Sequence, residues 1–135
     1  MPRVRIEQQF HDLYRVLAGT DDDNGRRKTF DTMKDVFMLS FGFGLAQGRR
    51  TPLGPSRDIF DDNVLKDADW NLIKAARLAE DEKALADIAN EETLILTAQE
   101  YANTGIRIIQ QRYLPAQPEQ SIATALLDTL APPKT

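Results

Sequence analysis

The chain contains no cysteine, which removes disulfides, thiolate nucleophiles and sulfur-rich zinc sites in one step. It has a single histidine, His11, so a metal site would have to be built from carboxylates and one imidazole. Ser40, Ser56 and Ser121 lack a second candidate base to activate them. Long apolar runs are missing too. The most nearly apolar stretch, Val36 to Ala46, is about half of what a bilayer-spanning helix needs, and the opening MPRVRIEQQF holds no apolar signal region. These absences lead to the expectation of a cytoplasmic, non-catalytic protein with no cofactor, no metal and no membrane partner.

What is there suits a folded domain. With 135 residues, 41% hydrophobic and 28% charged, the chain can bury one core, and the expected organisation is a single helical domain over residues 1–131 with a frayed tail at 132–135. The net charge of −4 conceals an asymmetry: residues 1–57 carry ten Lys/Arg against seven Asp/Glu, and residues 58–135 carry seven against fourteen. A basic first part can orient the protein on an anionic partner, or hold two copies or two lobes together.

The hydrophobic pattern is helical. Ile6, Phe10, Leu13, Tyr14 and Leu17 recur at spacings of three and four and predict a first amphipathic helix, with Val4 and Ile6, alternating with arginines, suggesting a short extended lead-in. Turn formers follow at Gly19–Gly25; Asp21-Asp-Asp23 resembles a calcium loop in composition, but Gly25 and Thr32 occupy positions where ligands are needed. Thr29, Asp31 and Thr32 can each cap the start of a second, central helix, Thr32 with Asp35 three residues on, and Gly48 ends it. A loop follows at 48–58, then helices from near Asp67 or Asp69, from Glu82 to Ile88, from about Glu92 to Tyr113 and from Pro118 to Leu130. No run alternates convincingly as a strand, so the expected fold is all-α: a bundle of about five or six helices around a glycine-rich central one.

The segment FMLSFGFGLAQGRRTPLG, residues 37–54, is the most suggestive of chemistry. A phosphate-cradling loop would need a strand before its first glycine and a helix after it; here a capped helix precedes the glycines, and no Gly-Lys-Ser/Thr closes the segment. Ser40, Gly44 and Gly48 instead lie four apart, in one line along a helix, and leave a groove for close backbone approach. Ala98, Ala102 and Gly105 on the fifth helix form a matching line, within one chain or between two copies, so a homodimer is one expectation. The triplet Asp81-Glu82-Lys83 with Asp58 lacks the adjacent strands that a nuclease site requires, and His11, flanked by Glu7 and Arg15, reads as a solvated helix face.

Cations bracket the central helix: Arg26, Arg27 and Lys28 before it, Lys34 in its first turn, Arg49, Arg50 and Arg57 after it. Arginine forks suit carboxylate or phosphate, so these seven residues are the expected partner-binding set, for an acidic protein surface or for nucleic acid.

Two stretches, FDTMKDVFMLSFGFGLAQGRRTPLG and AQEYANTGIRIIQQ, together resemble the Dnd system-associated protein 4 family, small proteins of bacterial DNA phosphorothioation and related phage-defence clusters. The resemblance is carried by Phe30, Thr32, Lys34, Asp35, Phe37 and Met38, by Gly48, Arg50, Pro52 and Leu53, and by Glu100, Tyr101, Ala102, Asn103 and Gly105. It implies a small accessory part of a defence system and no catalytic residue. The resulting expectation is an adaptor that binds a larger ATPase, nuclease or restriction component through the loop Arg49–Leu53. The second reading is a nucleic-acid module that contacts phosphates through residues 26–28 and 49–57.

Overall fold

The computed structural model describes residues 3–18, 32–81 and 88–113. In chain order they form strand β1 (Arg3–Glu7), a 3-10 turn (Gln8–Phe10), helix α1 (His11–Ala18), helix α2 (Met33–Gln47), strand β2 (Ser56–Asp61), a second 3-10 turn (Asp62–Val64), helix α3 (Asp67–Glu80) and helix α4 (Glu91–Tyr113). The fold is therefore mostly helical but not all-α, because β1 and β2 pair as a two-stranded antiparallel sheet. The first helix begins at His11, later than its apolar spacing predicts, since Val4 and Ile6 belong to the strand. The expected helices at 82–88 and 118–130, the tail at 132–135 and the turn at 19–25 lie outside the described residues, apart from Ile88.

The sheet takes up the extended lead-in at Val4 and Ile6 and pairs it with a strand where the sequence pattern predicts loop and turn. In β1, Arg3 and Arg5 are exposed while Val4 and Ile6 are buried, the period of two that a half-covered strand shows. Arg3 pairs with Asp58 and Asp61, and Arg5 with Asp58, so opposite charges face each other across the strands. The register slips between Val4 and Arg5, leaving Ile59 without a partner. At that slip the Arg5 N–H donates to Gln99 Oε1 on α4 at 2.7 Å, which ties the sheet to the helix.

Helix α2 is framed as its ends require. The Thr32 hydroxyl accepts from the Asp35 N–H at 3.1 Å. At the other end Gly48 takes φ +64°, and the N–H groups of Gly48 and Arg49 turn back to the carbonyls of Leu45 and Gly44. Val36, Phe37 and Phe41 are fully or almost fully buried, each stabilising the fold by about 1.5–3 kcal/mol relative to exposure. Phe37 meets Phe60 of β2 edge to face at 5.6 Å, and Phe41 meets Tyr101 of α4 at 5.8 Å.

Helices α2 and α4 run antiparallel and touch backbone to backbone within the chain. A Cβ added at Gly44 would fall 1.8 Å from the Tyr101 carbonyl oxygen, and one added at Gly105 would fall 1.7 Å from that of Ser40. The small line on α2 is thus filled by α4 of the same chain, with Gly105 as the predicted partner and Tyr101 presenting its backbone. Gly42 is different: an added Cβ there meets nothing within 4 Å.

Candidate functional site

The loop after α2, residues 48–55, crosses α4 and is held down by a buried carboxylate. Glu7, the last residue of β1, is 5% exposed. Its Oε2 accepts from the Asn103 side-chain amide (2.6 Å), Arg107 Nη2 (2.7 Å) and the Gly54 N–H (3.1 Å), and its Oε1 from Gln9 Nε2 (2.6 Å). Burial pushes this carboxyl up, but the donors Asn103, Gln9, Gly54 and Arg107 outweigh it and hold Glu7 at about 2. Glu7 therefore stays ionised inside the protein, a correction to its reading as part of a solvated helix face.

Asn103 extends the clamp to the loop backbone. Its Nδ2 also donates to the carbonyls of Thr51 (3.2 Å) and Pro52 (3.3 Å), and with three acceptors around it the amide has one sensible orientation. The Thr51 N–H donates to the Glu100 carbonyl, the hydroxyls of Thr51 and Thr104 share a hydrogen bond at 2.6 Å, and the Gln8 N–H reaches the Pro55 carbonyl. Arg107 lies with its guanidinium carbon 5.1 Å over the Phe10 ring, so its fork is positioned as well as paired.

The predicted cations separate into distinct roles. Arg50 turns inward: its Nε donates to Glu100 at 3.0 Å and Nη1 to Glu80 at 2.9 Å, and its guanidinium lies 5.9 Å over the Tyr101 ring. Glu80 also accepts from Arg77 and from the Tyr101 hydroxyl. Burial, the hydrogen bond to Glu80 and the charge of that carboxylate push Tyr101 up to about 12, against the opposing charges of Arg50 and Arg77. Lys34 is also internal, bridging α2 to α3 through Asp69 (3.1 Å) and to Asp35 (3.5 Å). Burial alone would lower its pKa, but these two carboxylates raise it.

Arg49 and Arg57 remain on the surface. Arg57 lies on β2; burial and then the charges of Arg57 and Arg15 lower the His11 pKa, with Asp12 opposing. Arg26, Arg27 and Lys28 lie outside the described residues. Asp58, weighed together with the nuclease-like triplet Asp81-Glu82-Lys83, is bound to Arg3 and Arg5.

Arg49 borders a groove of about 310 Å³ that runs along α4 beside the clamped loop. Its walls are Gln47, Arg49 and Thr51 on one side and Thr104, Arg107, Ile108, Gln111 and Arg112 on α4, with no carboxylate side chain among them. A larger cavity of about 540 Å³, between α3 and the start of α4, is lined by charges of both signs, including Asp67, Lys74 and Glu91. Spacing on α4 could have signalled the first groove, since residues 104, 107, 108, 111 and 112 share a helical face. Nothing in the sequence placed Glu7 against them.

Among the described residues, no helix is long and apolar enough to cross a membrane, and no three metal-ligating side chains converge. No curated protein and no solved structure matches the chain. A family match does exist, and it spans residues 3–131, so it takes in the sheet, the clamp and the groove together. The chain belongs to the family of DNA sulphur modification system-associated protein 4.

Proposed function

We propose that this protein is a non-catalytic adaptor of a DNA sulphur-modification system, and that it binds a larger protein component of that system with the outer side of the loop Arg49–Leu53. The observation that carries the reading is the opposite fate of two adjacent arginines. Arg50 is held by Glu80 and Glu100, whereas Arg49 projects from a backbone that Glu7 and Asn103 fix in place. A loop fixed in this way presents its side chains without a backbone ordering cost on binding, which raises affinity for a partner of matching shape. Family membership supports a partner within the same system.

The nucleic-acid reading through residues 26–28 and 49–57 shares the loop Arg49–Leu53 with the first and is supported by the carboxylate-free groove. It loses Arg50, which is engaged internally, and the net charge of −4 opposes it. Affinity purification of the tagged protein from its native host, with and without nuclease, separates the two. The adaptor reading predicts a protein of the modification system that stays bound after nuclease. Recovery of nucleic acid, or of proteins that vanish with nuclease, would overturn it, as would recovery of no component of the system.

A further inference from the structure

We propose that the groove between the clamped loop and α4 takes a short acidic segment of that protein partner, its carboxylates meeting Arg49 and Arg112 and an apolar side chain resting on Ile108. The inference rests on the adaptor reading and names the chemistry of its partner.

The charge pattern singles out this groove. Elsewhere in the described residues most arginines are matched: Arg3 and Arg5 with Asp58, Arg50 with Glu80 and Glu100, Arg107 with Glu7; Arg57, exposed on β2, also has no acid partner among the described residues but does not line this groove. Arg49 and Arg112 border one groove, have no acid partner among the described residues and face no carboxylate side chain across it, although the chain has 21 acids against 17 basic residues. Two arginines left together in an acidic protein are complementary to an incoming carboxylate-bearing ligand.

Shape and lining favour a peptide over a phosphodiester. The groove follows α4 from Thr104 to Arg112, roughly 12 Å at 1.5 Å per residue, which is the length of about four residues of extended chain. Gln47 and Gln111 offer amide donors and acceptors of the kind a peptide backbone uses, and the half-buried Ile108 offers an apolar floor that a phosphate group cannot exploit. A short acidic segment also brings few charges to a protein of net charge −4, unlike a nucleic-acid strand. Arg107, although it lines the groove, also neutralises Glu7, so it is left unchanged in the variants below.

The test uses the full-length tagged protein, purified from its native host after nuclease treatment. The variant R49E/R112E changes two exposed side chains; K66E/K74E, at the N-cap and in the middle of α3, makes the same change in net charge away from the groove and serves as the control at unchanged melting temperature. The proposal predicts at least a tenfold loss of the co-purifying system component with R49E/R112E, at unchanged melting temperature, and retention with K66E/K74E. It also predicts that carbodiimide joins the lysine introduced by Arg112→Lys to an Asp or Glu of the partner. Retention of the partner by folded R49E/R112E would overturn the groove assignment and leave the adaptor reading standing. Equal loss with K66E/K74E, or cross-links absent while the partner is still captured, would also overturn it. Capture only of nucleic acid that R49E/R112E abolishes would make the groove a phosphate site instead. A wild-type protein that captures neither would remove both readings.

Discussion

Helix α4 makes two contacts of opposite character along neighbouring stripes. Through Tyr101 and Gly105 it meets α2 backbone to backbone, where even a methyl group has no room. Through Asn103 and Arg107, two residues further along in each case, it holds a buried carboxylate and, by way of it, the loop after α2. The first contact depends on volume and is indifferent to pH. The second depends on charge and on every donor being present. The difference separates what makes the fold from what shapes its surface: the dry seam fixes two helices, and the polar clamp fixes the arginine loop that borders the groove.

The largest effect should come from the dry seam. Gly44→Ala or Gly105→Ala must push the helices apart, and we expect a loss of about 3 kcal/mol or more, read as a lowered denaturation midpoint. A loss below about 1 kcal/mol would mean that the helices are not in backbone contact.

Next comes the clamp. Glu7→Gln should cost about 2–4 kcal/mol, because it leaves Arg107 unneutralised beside a buried amide. The same carboxylate sets an acid limb. Its folded pKa of about 2 lies below the ordinary 4.5, so its stabilisation is complete above about pH 5 and is lost as pH falls toward 2. That shift amounts to about 3 kcal/mol, and stability against pH should be correspondingly flatter over this window in Glu7→Gln. An unchanged acid limb would show that Glu7 is not the group titrating.

The two loop arginines should differ in the same sense. Arg50→Ala should cost about 1–2 kcal/mol, since it strips charge-assisted bonds from Glu80 and Glu100, while Arg49→Ala should stay within about 0.5 kcal/mol. Equal effects would erase the distinction between the inward and the outward side of the loop. The smallest change is a gain: Gly42→Ala on the open side of α2 should stabilise by about 0.5–1 kcal/mol, because the added methyl meets nothing and the unfolded chain loses freedom.

Much of the seam was legible in the sequence, because helix capping and small-residue spacing are local signals. Thr32, Gly48 and the line Ser40–Gly44 pointed to α2 and to its partner near Gly105, and the structure has them there. Of the sheet only the extended lead-in at Val4 and Ile6 was legible, not its pairing. Its strands are about fifty residues apart, and what joins them is backbone pairing over the buried Val4, Ile6 and Phe60, with Arg3 and Arg5 facing Asp58 and Asp61 across it, a match that no single window contains. Glu7 was hidden for a related reason. A glutamate one turn from His11 looks like a helix surface, and only the pairing of β1 with β2 turns it inward toward Asn103 and Arg107. Arg50 was read as a surface cation because Glu80 and Glu100, the residues that bind it, lie on other helices.

Amide hydrogen exchange of the wild-type protein and Glu7→Gln, at a pH where both are folded, tests most directly whether this carboxylate holds the arginine loop. The Thr51 and Gly54 N–H groups bond to Glu100 and Glu7, so the account predicts that both are protected in the wild type and lose protection in the variant, while the α2 amides around Gly44 stay slow. Thr51 and Gly54 exchanging equally fast in both proteins, or equally slowly in both, would contradict it.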